Sequence, residues 1–412
     1  METNGFHASI ETVREGGYVV AAEAPFCLPA DARCDHAVFR LTDEGDLVWQ
    51  KRRAAGSVLK WTGITQSEDG GFLLSGYEDG FYRSTSDLTK IDAGGNGLWR
   101  REGIGQFVQQ IRDVIVAAHE AGGYEERGID FTVMKLDAGG LVSWNRHFTY
   151  GSGDITASLQ SMACLPEGDC VFAGETGDYA VGDANAWVAW IDANGDARWF
   201  NVYGGPQSDT GVAIVPTSDD GFVVGGKTRS FGAGFDDALL FKIDAGGAIL
   251  WQRAYGGPEG SEWIVSIDET HDGGVVAAGG EDSFGVGRND VWLLRLDGGG
   301  NVLWQRTYGL EGWSAWALDV KQAHDGGFVV LAQKTEQGNA PWYLWVLKVD
   351  ADGLISEDCP QGYGPSSSAT ATDISMEVSG RTLSQTDVIE GMTDLDPSLV
   401  AADLAPLMEC GG

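Results

Sequence analysis

The sequence predicts an all-β protein: a seven-bladed β-propeller of four-stranded antiparallel blades over residues 1–360, followed by a C-terminal tail over 361–412. Three observations predict it. A short phrase recurs seven times at nearly even spacing. Each period divides into four strand-like runs separated by Gly/Asp turns. Glycine is abundant, at 61 residues, and no helical periodicity is sustained within the repeats.

The phrase reads basic, aliphatic, Asp, two residues, Gly, three residues, Trp. Its copies run Lys-Ile-Asp92…Gly95…Trp99, Lys-Leu-Asp137…Gly140…Trp144, Trp-Ile-Asp192…Gly195…Trp199, Lys-Ile-Asp244…Gly247…Trp251 and Arg-Leu-Asp297…Gly300…Trp304. The two outer copies are weaker: Arg-Leu-Thr42…Gly45…Trp49 at the start, and Lys-Val-Asp350…Gly353…Glu357 at the end. Steps between the glycines are 50, 45, 55, 52, 53 and 53 residues, a period that marks a repeat array.

The copy at residues 260–310 shows the four strands most clearly. Glu262-Trp-Ile-Val-Ser-Ile-Asp-Glu-Thr270 is the first, closed by His271-Asp-Gly-Gly274. Val275 to Gly280 is the second, and Val291 to Leu296 the third, after the loop 281–290. The turn Asp297-Gly-Gly-Gly300 leads into the fourth, ending at Tyr308. Aligning the other copies on their Asp-Gly-Gly turns stacks Ser9, Gly63, Ser161, Ala213, Ser266 and Asp319 on the first strand. A column of small or short polar residues fits the innermost strand, where blades converge. The third copy is irregular and lacks a clear Asp-Gly-Gly turn. In the tail, Asp373-Ile-Ser-Met-Glu-Val378 reads as a strand and the stretch from Ser398 as weakly helical.

The net charge of −34, from 61 acidic against 27 basic residues, argues against nucleic acid and anionic membranes as partners. No apolar run approaches the ~18 residues needed to span a bilayer, so no membrane insertion is expected. The six cysteines fall by proximity into the pairs Cys27–Cys34, Cys164–Cys170 and Cys359–Cys410, the last tethering the tail. Disulfides imply an oxidising compartment, extracellular, cell-surface or periplasmic. The chain opens Met-Glu-Thr-Asn-Gly without a basic, apolar leader, so any signal peptide is expected to have been trimmed or replaced.

The stretch 290–309, Asp-Val-Trp-Leu-Leu-Arg-Leu-Asp-Gly-Gly-Gly-Asn-Val-Leu-Trp-Gln-Arg-Thr-Tyr-Gly, resembles the repeat of uncharacterised secreted bacterial and archaeal propellers, and the resemblance covers about 350 residues. It implies fold and secretion and is silent on activity, since those proteins have no agreed function. The repeat also resembles the tryptophan-docking motif of the quinoprotein dehydrogenase propellers. Here the turn before Trp is one residue shorter, the Thr-Gly-Lys is missing, and there is no adjacent Cys-Cys pair, so quinone chemistry is not expected. Similarity to WD-repeat proteins is architectural only.

Candidate sites follow from the loops. Asp192-Ala-Asn-Gly-Asp196 and Asp350-Ala-Asp-Gly353 resemble the start of a calcium loop, but position twelve from Asp192 is Tyr203 where a bidentate Glu is needed. These turns read as hairpin geometry; no cofactor is expected, with calcium left open. His271 and His324 share a turn position and read as packing elements. Zinc is not expected, since the His are scattered and no Cys-x-x-Cys occurs. The neighbouring carboxylates Asp236-Asp237 and Glu281-Asp282 are the residues that could flank a sugar bond.

Loops between second and third strands, and those joining blades, share one face of a propeller. They carry Tyr82, Tyr179, Phe231, Phe284 and Trp342, and Trp61, Trp263, Trp313 and Trp316 beside Asp209, Glu259, Glu262 and Glu311. Phe231 and Phe284, in matching Ser-Phe-Gly copies, read as wedges between blades. Trp61, Trp263, Trp313, Trp316, Trp342, Tyr82 and Tyr179 are the expected ligand-binding residues, suited to stacking on a glycan or a protein. The leading expectation is a non-catalytic extracellular recognition module. Two alternatives are a structural subunit of an extracellular assembly or surface layer, self-associating through its tail, and a hydrolase or lyase acting at the central channel mouth.

Overall fold

The computed structural model of the protein describes residues 8–23, 36–53, 59–78, 85–120, 129–150, 155–178, 183–336 and 342–355, with tail segments at 370–373, 376–381, 384–387, 393–395 and 400–401. They form seven antiparallel sheets, the blades, occupying 8–53, 59–102, 107–150, 155–204, 209–256, 262–308 and 313–349. Six blades contain all four strands in the order of the chain; in the seventh, three are described (Trp313–Gln322, Phe328–Glu336 and Trp342–Val349). Each inner strand packs against the next, and the first packs against the last, so the ring is closed.

Blade six matches its sequence reading closely, with strands Glu262–Glu269, Val275–Glu281, Asp290–Leu296 and Val302–Tyr308. Its two middle strands are buried along their whole length. A blade has a neighbour on either face, so its middle strands are apolar throughout instead of alternating. The irregular third blade has the same four strands; a two-residue turn at Arg112 and Asp113, with Arg112 at φ 56°, replaces Asp-Gly-Gly.

The repeated phrase is a latch between blades. The Asp closes its own turn: Asp297 Oδ1 accepts the N–H groups of Gly299 and Asn301, both at 2.9 Å. The Gly that follows takes a left-handed backbone, φ 77° at Gly300. That bare position receives the Trp of the preceding blade: a Cβ on Gly300 would stand 2.9 Å from the Trp251 ring. The indole N–H then donates across the gap at 3.0 Å, Trp251 to Gly298, Trp304 to Ala351, Trp199 to Ala245 and Trp49 to Ala93. Tyr255 and Tyr308 hydroxyls donate beside it, to the carbonyls of Gly300 (2.7 Å) and Gly353 (2.8 Å).

The innermost column has a more specific reason than lack of room. Inner strands carry a bulge just before it, for example between Ile264 and Ser266. The column residue then accepts a backbone N–H of the next blade: Ser161 from Ile214 (3.2 Å), Ser266 from Val320 (3.2 Å) and Asp319 from Ile10 (3.0 Å).

The tail corrects the sequence reading. The expected strand at 373–378 is two strands, and the stretch from Ser398 holds a strand where a weak helix was expected. The tail runs backward round the ring, adding a fifth antiparallel strand to five blades in turn. Thr370–Asp373 pairs with blade five, Glu377–Arg381 with four, Ser384–Asp387 with three, Thr393–Leu395 with two and Val400–Ala401 with one. It covers outer edges that would otherwise expose unpaired backbone groups. Cys164 and Cys170 form the expected disulfide across a hairpin turn. Cys27, Cys34, Cys359 and Cys410 lie outside the described residues. Among the described residues no helix is long and apolar enough to cross a membrane.

Candidate functional site

Among the described residues, the expected aromatics do not form one continuous face; they concentrate on blade seven. Trp313 and Trp316 open its first strand, Trp342 and Tyr343 open its third, and the register brings both to the same end of the sheet. Alternation along the strands sends them to opposite faces. Trp316 and Trp342 meet edge to face, ring centroids 4.9 Å apart. On the other face Trp313 and Tyr343 lie 5.8 Å apart. All four keep part of their surface exposed. Between the sheets, Lys334, 5% exposed, holds its ammonium 5.4 Å from the Trp313 ring and 5.0 Å from that of Trp345. This cation–π contact stiffens Trp313 from behind.

Other expected site residues go elsewhere. Trp61 is a correction: it is 1% exposed, in the core with Val13, Val19 and Leu74. The bulge between Trp61 and Gly63 puts Trp61 where blade six has Ile264, facing inward. Trp263 lies along Gly280 of its own blade, whose Cβ position would be 2.3 Å from the indole. Tyr82 and Tyr179 lie outside the described residues. Phe231 and Phe284 are wedges, packed against the cores of blades five and six, with Phe284 edge-on to Trp292 at 5.7 Å.

The acidic residues expected beside the aromatics divide into two groups. Asp209 and Glu262 are fully buried. They accept the backbone N–H of Gly205 (2.6 Å) and Gly257 (3.2 Å) and so hold the blade-to-blade turns. Burial pushes the Glu262 carboxyl up to about 7, with Asp237 and Glu281 adding to the rise. Glu259 and Glu311 are exposed. The carboxylate pair Asp236-Asp237 diverges: Asp236 pairs with Arg229 and Lys227, while Asp237 turns inward to the N–H groups of Ala233 (3.1 Å) and Gly234 (3.0 Å). Of the two histidines, His324 Nε2 lies 2.9 Å from the carbonyl of Val13, bridging last blade to first. Turn Asp192 uses Oδ1 on Asn194 and Asp196 N–H groups, both at 2.9 Å, as hairpin geometry requires.

Sequence reasoning missed Tyr343, Trp345 and Lys334. The two aromatics were signalled by the alternation of Trp342-Tyr-Leu-Trp345, which puts two aromatics on one face and one on the other. Ring closure, blade count and strand order define the protein as a seven-bladed β-propeller. No protein-family model matches the chain, and no curated protein matches it.

Proposed function

We propose that the protein is a non-catalytic extracellular recognition module that binds a glycan, or alternatively a protein segment, at the loop end of blade seven. The observation that carries this reading is the set of four partly exposed rings, Trp313, Trp316, Trp342 and Tyr343, gathered on one blade end. Indole and phenol faces stack on the C–H faces of sugars at little entropic cost, and rigid aromatic anchors dominate recognition surfaces generally. The disulfide Cys164–Cys170 supports an oxidising location. The tail pairs with the blades of its own chain, which supports the recognition reading over assembly through the tail.

The test is binding of the oxidised protein to a broad glycan panel, alongside Trp342→Ala and Trp313→Ala. Selective binding lost in either variant supports the reading. Binding unchanged in both would move the site away from blade seven.

A further inference from the structure

The tail strands meet the blades in a repeating register. Two residues after the repeated Trp, the outer strands of blades five, four, three, two and one carry Arg253, Asn201, Arg146, Arg101 and Lys51. The tail residues opposite them are Asp373, Gly380, Asp387, Asp394 and Ala401. Successive partners are seven residues apart, so every blade takes up the same length of tail. Each of the three arginines is opposed by an aspartate, whereas Asn201 and Lys51 face Gly and Ala. Directly opposed residues share a face of the sheet, where opposite charges stabilise the pairing.

Blade six offers the same edge as blade five. Its outer strand reads Val-Leu-Trp-Gln-Arg-Thr-Tyr-Gly from Val302, against Ile-Leu-Trp-Gln-Arg-Ala-Tyr-Gly from Ile249. Both are seated alike, the Trp and Tyr of each bonded to the turn of the following blade. On blade five this edge pairs with Thr370–Asp373. Among the described residues, blade six is the four-stranded blade whose outer edge bears no added strand.

Arg306 marks that edge, at the position Arg253 holds in blade five. It is partly exposed, lies 5.7 Å from the centre of its own Trp304 ring and donates to the Gln305 carbonyl at 3.0 Å. No carboxylate pairs with it among the described residues. Counting seven back from Asp373 reaches Ser366, which lies outside the described residues and has no charge to offer. The spacing of the tail therefore supplies no acid for Arg306.

We infer that the outer edge of blade six is a strand-addition site for an extended segment of another protein, with an aspartate or glutamate opposite Arg306. Main-chain groups along a sheet edge give such a segment its affinity, and a side chain at a fixed register gives selection. The added strand runs antiparallel, as Thr370–Asp373 does on blade five, with small or β-branched residues opposite Thr307 and Tyr308. The site uses none of the blade-seven rings and stands independently of the reading given for them.

The probe is a synthetic peptide with the sequence of residues 368–375, added to the full oxidised chain and followed by hydrogen exchange. Amides of 302–308 are expected to gain protection saturably. The peptide with Asp373→Asn should bind about two- to fivefold more weakly, and so should the parent peptide to the Arg306→Gln protein. Arg306→Glu sets like charges opposite each other, so it should weaken the parent peptide at least about tenfold and prefer a peptide with Asp373→Lys. Binding regained by that swap excludes misfolding as the cause of the loss. Three results overturn the inference. Amides of 302–308 as protected as those of 249–256 before peptide is added would mean that the chain fills this edge itself. No gain at 302–308 with the peptide at its solubility limit would mean that the edge accepts no strand. An equal gain with the Asp and Asn peptides, unmoved by Arg306→Glu, would mean that Arg306 selects nothing.

Discussion

The carboxylate of Asp319, on the last blade, accepts the backbone N–H of Ile10, on the first, at 3.0 Å. It also accepts the hydroxyls of Ser9 (3.1 Å) and Ser266 (2.7 Å), so one side chain joins blades six, seven and one. Beside it the half-buried Lys321 ammonium is held charged by Asp319, Asp268 and Glu11, which outweigh its desolvation. Asp319→Ala would strand an N–H, two hydroxyls and part of the neutralisation of Lys321. The expected loss is about 2–4 kcal/mol in denaturant unfolding, with Asp319→Asn milder because it keeps an acceptor. A loss no larger than that of an ordinary surface substitution would show that the seam is held elsewhere.

The Trp–Gly latch makes a sharper prediction, because its two halves lie about 50 residues apart in sequence. Trp251→Phe removes the indole N–H donated to Gly298 and should cost about 1 kcal/mol. Trp251→Ala should cost about 2–4 kcal/mol through lost packing. Gly300→Ala suffers twice, from its φ of 77° and from the ring at 2.9 Å. In the double variant the clash vanishes and only the backbone strain remains. Unfolding measurements on the four proteins should therefore be non-additive, the double variant being less damaged than the sum of the singles.

The two outer copies of the repeat are imperfect, and the seam between them is held by other groups. The docking Trp residues lie on the turn of the following blade. In sequence the seventh copy has Glu357 for Trp, outside the described residues, and the first has Thr42 for Asp. The seam between last and first blade is held by Asp319 and His324.

Blade count and strand positions were legible because burial on both faces leaves long apolar runs between Gly turns. The depth of Trp61 was not legible: a one-residue bulge decides which way it points, and residue type does not reveal the bulge. The belt was hidden for a different reason. Its strands are two to five residues long and join through backbone hydrogen bonds, which leave little hydrophobic pattern to read.

Glu262 ties stability to pH. Burial raises its carboxyl from the ordinary 4.5 to about 7 in the folded protein. Between those values the folded state holds a proton that the unfolded state has lost. Its contribution is thus fully present below about pH 4.5 and is lost as pH rises through 7. Glu262→Gln should flatten that slope, by at most about 3 kcal/mol across the window. Unfolding should be compared at pH 5 and pH 8. An unchanged slope in the variant would assign the dependence to other groups, Glu11 first among them, since burial raises it likewise to about 7.

Met376, in the tail, is buried, 8% exposed. It enters the core between blades four and five, with Tyr203, Leu239 and Phe241, and its N–H donates to Gln252 at 2.9 Å. It sits between the strand added to blade five and the strand added to blade four. Met376→Ala should cost about 2–3 kcal/mol locally, because a cavity opens where the tail is pinned. The second strands are hydrogen-bonded on both sides within their own blades and should keep their protection. Native-state hydrogen exchange separates the two levels: amides of 377–381 should exchange at least tenfold faster in the variant, and those of Val223 and Val276 should not change. Equal loss of protection in the second strands would mean that tail and ring unfold as one unit. Unchanged exchange across 377–381 would mean that backbone pairing alone holds the belt.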